Sequence, residues 1–304
     1  MKYACIDIGT NTVLLAIVDN NECLVDVLDI STITRLGEGL KRSGELSVPA
    51  MERTFIVLQR YKNIIGEHNV DKTFCVGTAA LREASNSKTF LDMVEGSLGF
   101  KIDIITEKEE ALYTFRSVIG DTSINEGSVV ITDIGGGSTE IIKGDKGCFV
   151  DAVSLPVGSV KLTEMFVEND PPKTSELALL RDYVHVLLDT PFCEGYMPDI
   201  CVGTGGTVTN VACIVKGLET FEKEKIHGCK IKLDDIKGLI SELLRLTSRE
   251  RAMIKGMEAG REDIILQGTV LLSEIMRCFE KDEIVVSANG VRYGVILEAL
   301  DKNS

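Results

Sequence analysis

The sequence contains no tryptophan, three histidines and no apolar run that approaches the roughly 18 residues of a membrane-spanning helix. Its opening segment, MKYACIDIGTNTVLLAIVDN, is interrupted by polar residues at 7, 10, 11 and 12 and lacks the continuous apolar core of a signal peptide. We therefore expect a cytoplasmic protein without a membrane partner.

Positive charge is in deficit, with 33 Lys and Arg against 47 Asp and Glu and a formal net charge of -14. A broad DNA-binding surface needs a basic face, so this balance argues against a DNA partner. An anionic ligand would have to meet a local positive site. The length of 304 residues, of which 44% are hydrophobic, is enough for two domains.

Cysteine pairs with metal-ligand or redox spacing are also absent. The nine cysteines include no C-x-x-C, their number is odd and most have apolar neighbours. This pattern favours reduced core residues over disulfides or a redox centre.

Two similar stretches lie 126 positions apart, Asp7-Ile-Gly-Thr-Asn-Thr and Asp133-Ile-Gly-Gly-Gly-Ser-Thr. Each follows an apolar strand and precedes a second strand, a polar turn and a third strand. Alternating strands and helices then follow in both halves. Helices are predicted near 49–69, 107–119, 158–168, 173–189, 206–217, 233–246 and 261–279.

This repeat predicts an α/β protein with two domains of one plan, residues 1–124 and 125–304, divided in the polar stretch 120–128. A final helix, from about residue 290, would pack back on the first domain.

The glycine turns that end the first strands of the two repeats predict two anion-binding sites. Glycine leaves backbone N–H groups uncovered, and such groups bind anionic oxygens. The predicted phosphate-binding residues of these turns are Gly9, Thr10, Asn11, Gly135, Gly136, Gly137, Ser138 and Thr139. The alternative is that the glycines only make tight turns.

The aspartates before these turns, Asp7 and Asp133, would repel phosphate unless a divalent cation lay between them. Mg²⁺ uses one or two carboxylates together with waters and phosphates, so Mg²⁺ or Mn²⁺ is the predicted cofactor. Turn-capping aspartates are the alternative.

A third glycine signal is the segment ICVGTGGTVTNVA, in which Gly205 and Gly206 join a strand to a helix. This arrangement directs a helix N-terminus toward an anion or a nucleotide. No G-x-x-x-x-G-K-[ST] sequence occurs, so a P-loop is excluded.

Together, IDIGTNTVLLAI, ITDIGGGSTEI and VGTGGTVTNVA resemble the phosphate and nucleotide motifs of the actin, sugar-kinase and heat-shock-chaperone superfamily. Within it, the chain resembles the exopolyphosphatase and guanosine pentaphosphatase (Ppx/GppA) family. The further matching segments are TRLGEGL, VGTAALREASN, EKEEA, SLPVGSVKLTEMF and ANGVRYG.

The resemblance implies two actin-like, ribonuclease H-like α/β domains with a cleft between them. It also implies cation-dependent release of terminal phosphate from polyphosphate or from guanosine penta- or tetraphosphate. A homodimer is a further expectation.

The resemblance also assigns roles to residues outside the two turns. Glu110 would be the general base, with Glu109 as the competing candidate. Phosphate would be bound by Thr78, Arg82 and Arg35, and the nucleotide or chain end by Arg261. Glu140 would lie near the metal. The alternatives are surface or helix arginines, a water-facing Glu140 and a solvated acidic helix start at residues 107–110.

The chain departs from the family pattern at Tyr293, where related sequences often have glutamate in GLREG, so any role of that glutamate is in question here. Longer members continue into a helical extension that holds long polymers, so we expect short polyphosphate or guanosine pentaphosphate as substrate. His227 matches short members and is interpreted as structural.

Two other functions stay open at this point. One is a regulatory module that binds phosphate or guanosine polyphosphates with little turnover, which would not need Glu110. The other is a kinase or filament protein of the same superfamily, although the sequence offers no clear aspartate base for an acceptor hydroxyl. Kinship of fold does not choose between these functions.

Overall fold

The computed structural model describes residues 1–21, 24–121 and 127–302. Its elements, in chain order, are β1 (Lys2–Ile8), β2 (Thr12–Asn20), β3 (Leu24–Ile33), α1 (Leu40–Ser43), α2 (Val48–Glu67), β4 (Lys72–Gly77), α3 (Ala79–Glu83), α4 (Ser87–Leu98), β5 (Asp103–Ile104), α5 (Glu107–Asp121), β6 (Ser128–Ile134), β7 (Thr139–Asp145), β8 (Cys148–Leu155), α6 (Ser159–Phe166), α7 (Thr174–Leu188), β9 (Ile200–Thr204), α8 (Gly205–Val215), α9 (Lys223–Ile226), β10 (Lys230–Lys232), α10 (Leu233–Leu243), α11 (Ser248–Arg251), α12 (Ile265–Cys278), β11 (Glu283–Val286) and α13 (Val291–Asp301).

The chain forms two compact units, each built around one sheet. The first contains Met1–Ser117 and Val291–Ser304, and the second contains Val118–Gly290. This arrangement confirms the predicted α/β class. The units divide inside α5, whereas the sequence favoured the polar stretch 120–128, of which residues 122–126 lie outside the described part.

The first unit has a five-stranded sheet in the order β3-β2-β1-β4-β5. Strands β1, β2 and β3 are antiparallel neighbours, and β4 runs parallel to β1. Alternate residues of β1 enter different cores: Ala4 and Ile6 pack in the larger one, and Tyr3 and Cys5 pack with α13 in the smaller one. Because both faces of the sheet are covered, β1 is a nearly continuous apolar run.

The second unit has a six-stranded sheet in the order β10-β11-β9-β6-β7-β8. Strands β6, β7 and β8 repeat the antiparallel arrangement of the first unit, and β9 runs parallel to β6. The apolar faces of α7, α8, α10 and α12 fill one contiguous core against this sheet.

The repeat extends further than the two aspartates. The tetrapeptide Cys-Val-Gly-Thr occurs at 75–78 and again at 201–204, also 126 positions apart. These tetrapeptides end β4 and β9, the parallel neighbours of β1 and β6. In each unit, the glycine turn therefore lies beside a strand with a threonine at its carboxyl end, as the residue that follows β4 and as the last residue of β9. This is the edge where ligands bind in many α/β sheets.

Helix α13 is fixed to the first sheet by a buried ion pair. Arg292 donates through Nε and Nη2 to the two carboxylate oxygens of Asp29, at 3.2 and 2.7 Å, and the Tyr293 hydroxyl donates to the same carboxylate at 3.1 Å. Burial lowers the pKa of Arg292, but Asp29, Tyr293 and Asp7 together more than offset this effect, and the pKa lies above its usual value. In place of the family's glutamate, Tyr293 thus helps to hold α13 against β3.

Several elements differ from the sequence prediction for physical reasons. Helix α12 begins at Ile265 rather than near 261, because Arg261 and the residues after it form a turn. Strand β5 has only two residues, both exposed, at the edge of its sheet. The short elements α1, α9, α11 and β10 were not predicted, since three or four residues do not complete a detectable hydrophobic period.

Replacing Arg292 by methionine should destabilise the first unit by about 3–5 kcal/mol, because the largely buried Asp29 carboxylate loses its guanidinium partner. Urea-induced unfolding followed by circular dichroism measures this as a lower transition midpoint.

Arg116→Met is the matched control. Arg116, in α5, donates to Asp301 at 2.8 Å, and Asp301 belongs to α13 as Arg292 does. Both side chains of this pair are exposed. Exposed pairs contribute about 1 kcal/mol or less. An equal decrease of the urea transition midpoint in the two variants would contradict the larger contribution proposed for the buried pair.

Candidate active site

The turn between β1 and β2 presents two unpaired amide groups. The Gly9 N–H donates to the Thr12 carbonyl oxygen at 3.0 Å, and the Thr10 carbonyl oxygen accepts the Gly37 N–H at 2.9 Å. In the described part of the chain, no protein acceptor meets the N–H groups of Thr10 and Asn11. Both residues are buried, and buried N–H groups are normally paired, so this turn has two donors available for an anionic oxygen.

The segment after β3 packs against this turn. The N–H groups of Thr34 and Arg35 both donate to the Asn11 carbonyl oxygen, at 3.0 and 2.9 Å. Arg35 has a φ of 52°, an uncommon conformation for a residue with a side chain. Arg53 supports the segment from α2, because its Nε donates to the Thr34 carbonyl oxygen at 2.9 Å and its Nη2 to Glu38. Arg53 was not identified from the sequence, where it resembles any other helix arginine.

The turn between β6 and β7 repeats the same hydrogen bonds. The Gly135 N–H donates to the Ser138 carbonyl oxygen at 3.1 Å, and the Gly136 carbonyl oxygen accepts the Val160 N–H at 3.0 Å. No protein acceptor among residues 1–21, 24–121 and 127–302 meets the N–H groups of Gly136 and Gly137. The two turns therefore share their sequence position and these two hydrogen bonds, and each has two N–H groups without an acceptor in the described part of the chain.

The start of α6 packs directly onto the second turn. A Cβ atom at Gly158 would lie 2.5 Å from the Gly135 carbonyl oxygen, so only glycine allows this approach. Lys161 donates its backbone N–H to the Gly136 carbonyl oxygen at 3.2 Å, and its side chain is buried. Sequence reasoning assigned no role to Lys161, although a lysine in a motif next to the glycine turn was a usable signal.

Thr139, predicted to donate to phosphate, is instead fully buried. Its hydroxyl donates to the Val157 carbonyl oxygen at 2.8 Å. Thr139 therefore joins β7 to the segment before α6, and its proton is not directed at a ligand.

Asp133 and Glu140 are directly opposite each other in the antiparallel register of β6 and β7. Glu140 is 2% exposed and accepts a hydrogen bond from the Ser154 hydroxyl at 2.8 Å. Like charges opposite one another on neighbouring strands are destabilising. In the first unit the corresponding partner of Asp7 is Leu14, so the pair of carboxylates belongs to the second repeat alone.

The start of α8 lies against Asp133 through Gly205 and against Arg261 through Gly206. Gly205 has a φ of +88°, and a Cβ atom there would lie 2.6 Å from Asp133 Oδ1. At Gly206 a Cβ atom would lie 2.1 Å from Nη2 of Arg261, whose buried side chain is paired with Glu258. The guanidinium of Arg261 therefore occupies the space that glycine leaves open at the helix N-terminus.

In the first unit, Thr78 connects the end of β4 to the end of β1. Its N–H and its hydroxyl donate to the Ile8 carbonyl oxygen, at 3.2 and 3.4 Å. Arg82 lies one helical turn further along and donates its N–H to the Thr78 carbonyl oxygen at 3.1 Å. Thr78 and Arg82 are thus positioned on one short element beside the first glycine turn.

Glu110, the predicted general base, forms a buried ion pair. Arg82 Nη1 donates to Glu110 Oε2 at 2.6 Å and to the Ile105 carbonyl oxygen at 3.0 Å. The Glu110 side chain is 9% exposed and that of Arg82 is 16% exposed. Arg82, which was predicted to bind phosphate, therefore orients the Glu110 carboxylate.

Glu109, the competing candidate, caps the helix to which both glutamates belong. Its carboxylate accepts from the Thr106 N–H at 2.7 Å and from the Thr106 hydroxyl at 2.8 Å. The backbone hydrogen bond and then the hydroxyl bond lower the pKa of Glu109. The two adjacent glutamates thus have different surroundings, because Glu109 stabilises the helix start and Glu110 is buried against Arg82.

The chain matches the Ppx/GppA phosphatase family over residues 14–303. It belongs to this family. It is 29% identical to exopolyphosphatase 2 of Mycobacterium tuberculosis, over 97% of this chain and 98% of that protein. The crystal structure of an Aquifex aeolicus Ppx/GppA member covers 100% of this chain and 99% of its own, with 32% identity and a TM-score of 0.84.

A guanosine-5'-triphosphate,3'-diphosphate pyrophosphatase of Vibrio atlanticus is also 29% identical, over 99% of this chain and 59% of that protein. The Ppx/GppA assignment confirms the resemblance drawn from the motifs. Whether the two turns face one ligand across a cleft stays a prediction.

Two remaining observations concern this Ppx/GppA chain. Among the described residues, no helix is long and apolar enough to cross a membrane. His227 Nδ1 accepts the Ala288 N–H at 3.2 Å, in agreement with a structural role.

The cap formed by Glu109 predicts a pH-dependent contribution to stability. Because its pKa is lowered in the folded protein, the contribution is fully present above the ordinary value of about 4.3 and is lost as pH falls through the folded-state pKa. Glu109→Gln should therefore lower the Tm by about 1–3 °C at pH 7, and the difference from wild type should shrink below pH 4. Thermal unfolding at several pH values measures it, and a difference independent of pH would contradict a charged cap.

Proposed function

We propose that this Ppx/GppA member hydrolyses a terminal phosphoanhydride bond and releases phosphate from inorganic polyphosphate, from guanosine pentaphosphate, or from both. The names of the relatives, exopolyphosphatase and guanosine-5'-triphosphate,3'-diphosphate pyrophosphatase, support this substrate class. The observation that carries the proposal is the duplicated turn, in which two N–H groups of each copy meet no acceptor among the residues that the structure describes.

Both turns bind phosphate oxygens through backbone amides. Thr10 and Asn11 supply the amides in the first unit, and Gly136 and Gly137 supply them in the second. Backbone donors cost little reorganisation because their positions are already fixed by the sheet. Ser138 is buried within the second turn and adds a hydroxyl donor.

Buried and half-buried cations supply the positive charge that a polyanion requires in a chain of net charge -14. Arg35 contributes from the segment beside the first turn, and Lys161 contributes from the helix beside the second. Arg261 lies over the start of α8, where the helix N-terminus also favours an anion. Each of these cations is thus adjacent to a predicted phosphate contact.

Asp133 and Glu140 are the residues that would hold Mg²⁺ or Mn²⁺ in the second unit, and Asp7 is the carboxylate of the equivalent position in the first. The opposed carboxylates of Asp133 and Glu140 fit this assignment, because a cation relieves their repulsion. No group of three or more metal-ligating side chains occurs in the described chain, which suits Mg²⁺ because waters and substrate oxygens complete its shell. When bound, the cation would neutralise charge on the phosphate oxygens.

Glu110 activates the water that attacks the terminal phosphorus. Its carboxylate is held by Arg82, so its orientation is set before substrate binds. Water attacks phosphorus, its proton passes to Glu110, and the bond from phosphorus to the bridging oxygen breaks. The shortened phosphate chain leaves with the electron pair of that bond. In the unit that contains Glu110, the amides of the first turn stabilise the charge on the transferred group.

A cytoplasmic location is part of this proposal. The eight cysteines in the described part of the chain are all unbridged, as expected in a reducing compartment.

The proposal is tested by measuring phosphate release from short polyphosphate, long polyphosphate and guanosine pentaphosphate, each with Mg²⁺ and with excess chelator. We expect release from at least one substrate with Mg²⁺ and loss of that activity in chelator. Full activity in excess chelator would contradict the proposed requirement for a divalent cation. Absence of phosphate release from all three substrates would contradict the proposed hydrolase activity.

Replacing Glu110 by glutamine should lower turnover about 10²- to 10⁴-fold, which is the usual contribution of a general base. Substrate binding, measured by calorimetry, should be retained because glutamine keeps the size of the side chain. Glu109→Gln is the matched control and should keep nearly full turnover, since Glu109 is engaged in the helix cap. Unchanged turnover in Glu110→Gln would reject the assignment of Glu110 as the general base.

A further inference from the structure

A pocket of about 440 Å³ in the second unit contains two cysteines that the proposed function does not use. Its walls are the last turn of α7, the turn at residues 190–197 and the end of α12. Cys193 lies in the turn, and Cys278 is the last residue of α12. None of the residues predicted to bind phosphate or metal lines this pocket.

Both cysteines line this pocket, and their side chains interact through a hydrogen bond. The Cys278 thiol donates to the Cys193 sulfur, and this bond is the largest cause of a Cys193 pKa lowered to about 7. Burial opposes the shift, and a hydrogen bond from Thr190 and the charge of Lys143 add to it. The same contact raises the pKa of Cys278 above its usual value. The hydrogen bond thus makes one thiol of the pair more acidic than a free cysteine and the other less acidic.

Lys143 is held next to the cysteine turn. Its ammonium group donates to the Phe192 carbonyl oxygen and lies 4.3 Å from the ring centroids of both Phe192 and Tyr196. A fixed cation near a cysteine favours the reactive thiolate. The position of this charge is therefore set by the aromatic residues on either side of Cys193.

The turn is also anchored to α12. The Tyr196 ring meets the Phe279 ring edge to face, with centroids 6.3 Å apart, and the Tyr196 hydroxyl donates to the Val129 and Gly144 carbonyl oxygens. Phe279 immediately follows Cys278. Packing on both sides of the thiols therefore holds the two sulfurs together.

We propose that Cys193 and Cys278 are a peroxide-sensitive dithiol site that closes to an intramolecular disulfide. The Cys193 thiolate attacks one oxygen of hydrogen peroxide, the O–O bond breaks, and hydroxide leaves to give a sulfenic acid at Cys193. The Cys278 sulfur then attacks the Cys193 sulfur, and the sulfenic oxygen leaves as water. Two thiols are oxidised and one peroxide is reduced to two waters.

The other cysteines that the structure describes lack this combination of features. Burial raises the pKa of Cys201 to about 12, and it also raises the pKa of Cys5 and Cys75 in the first sheet. Cys148 is exposed and does not line the pocket that contains Cys193 and Cys278. The site modifies the sequence-based interpretation of the cysteines, because two of them form a reactive pair although no C-x-x-C spacing occurs.

The test oxidises the reduced full-length protein with hydrogen peroxide, alkylates the remaining thiols and digests with an endoproteinase that cleaves after glutamate. This cleavage separates Cys193, in the peptide 177–194, from Cys201, and it places Cys278 in the peptide 275–280. We expect these two peptides to be linked, at the sum of their masses less two hydrogens. Oxidation of Cys148 while residues 193 and 278 stay alkylated would overturn the proposal.

Variants distinguish the two steps of the reaction. Cys278→Ser keeps a hydrogen-bond donor beside Cys193 but cannot form the disulfide, so dimedone should trap a sulfenic acid at Cys193 that wild type does not accumulate. Cys148→Ser is the matched control and should form the 193–278 link at the wild-type rate. That rate should rise between about pH 6 and pH 8, following the thiolate of Cys193. A dimedone adduct equally abundant at Cys148 and Cys193 would contradict a specific site.

Discussion

The proposed contacts with phosphate depend on which backbone N–H and C=O groups of a four-residue turn are hydrogen-bonded within the protein. In each repeat, a glycine N–H closes the turn, and N–H groups of the segment after the third strand occupy its carbonyl oxygens. The remaining amides are then the groups without a protein partner. The segments at 34–37 and 158–161 bind the carbonyl oxygens of the turns, and the N–H groups are left to bind an anion. These supporting segments are therefore as necessary for the proposed anion sites as the turns themselves.

The two repeats share a backbone but differ in chemistry. Asp133 is opposite a carboxylate, Glu140, whereas Asp7 is opposite Leu14. In the first unit the additional carboxylate instead comes from a helix, as Glu110 paired with Arg82. A duplicated scaffold therefore supplies two similar phosphate contacts, while the opposed pair of carboxylates and the glutamate assigned to water activation lie in different repeats.

The features that sequence predicted are those encoded by short stretches of the chain. The two turns follow from aspartate and glycine spacing, and the strands beside them follow from apolar runs such as Val129–Ile131. The pairing of Arg82 with Glu110 joins residues 28 positions apart, and no local pattern encodes it. The hydrogen bonds at the start of the helix distinguish Glu109, which caps the helix, from Glu110, which pairs with Arg82. Adjacent side chains on a helix point in different directions, so sequence neighbours can have different partners.

The order of the chain has a consequence for synthesis. Helix α13 completes the core formed with Tyr3, Cys5, Ala16 and Val18, yet residues 118–290 must emerge from the ribosome before it does. One face of the first sheet therefore stays uncovered while the whole second unit is made, and exposed apolar surface of this kind promotes aggregation. The second unit, being continuous in sequence, has all its strands available earlier, so the half that is synthesised first is the half that finishes folding last.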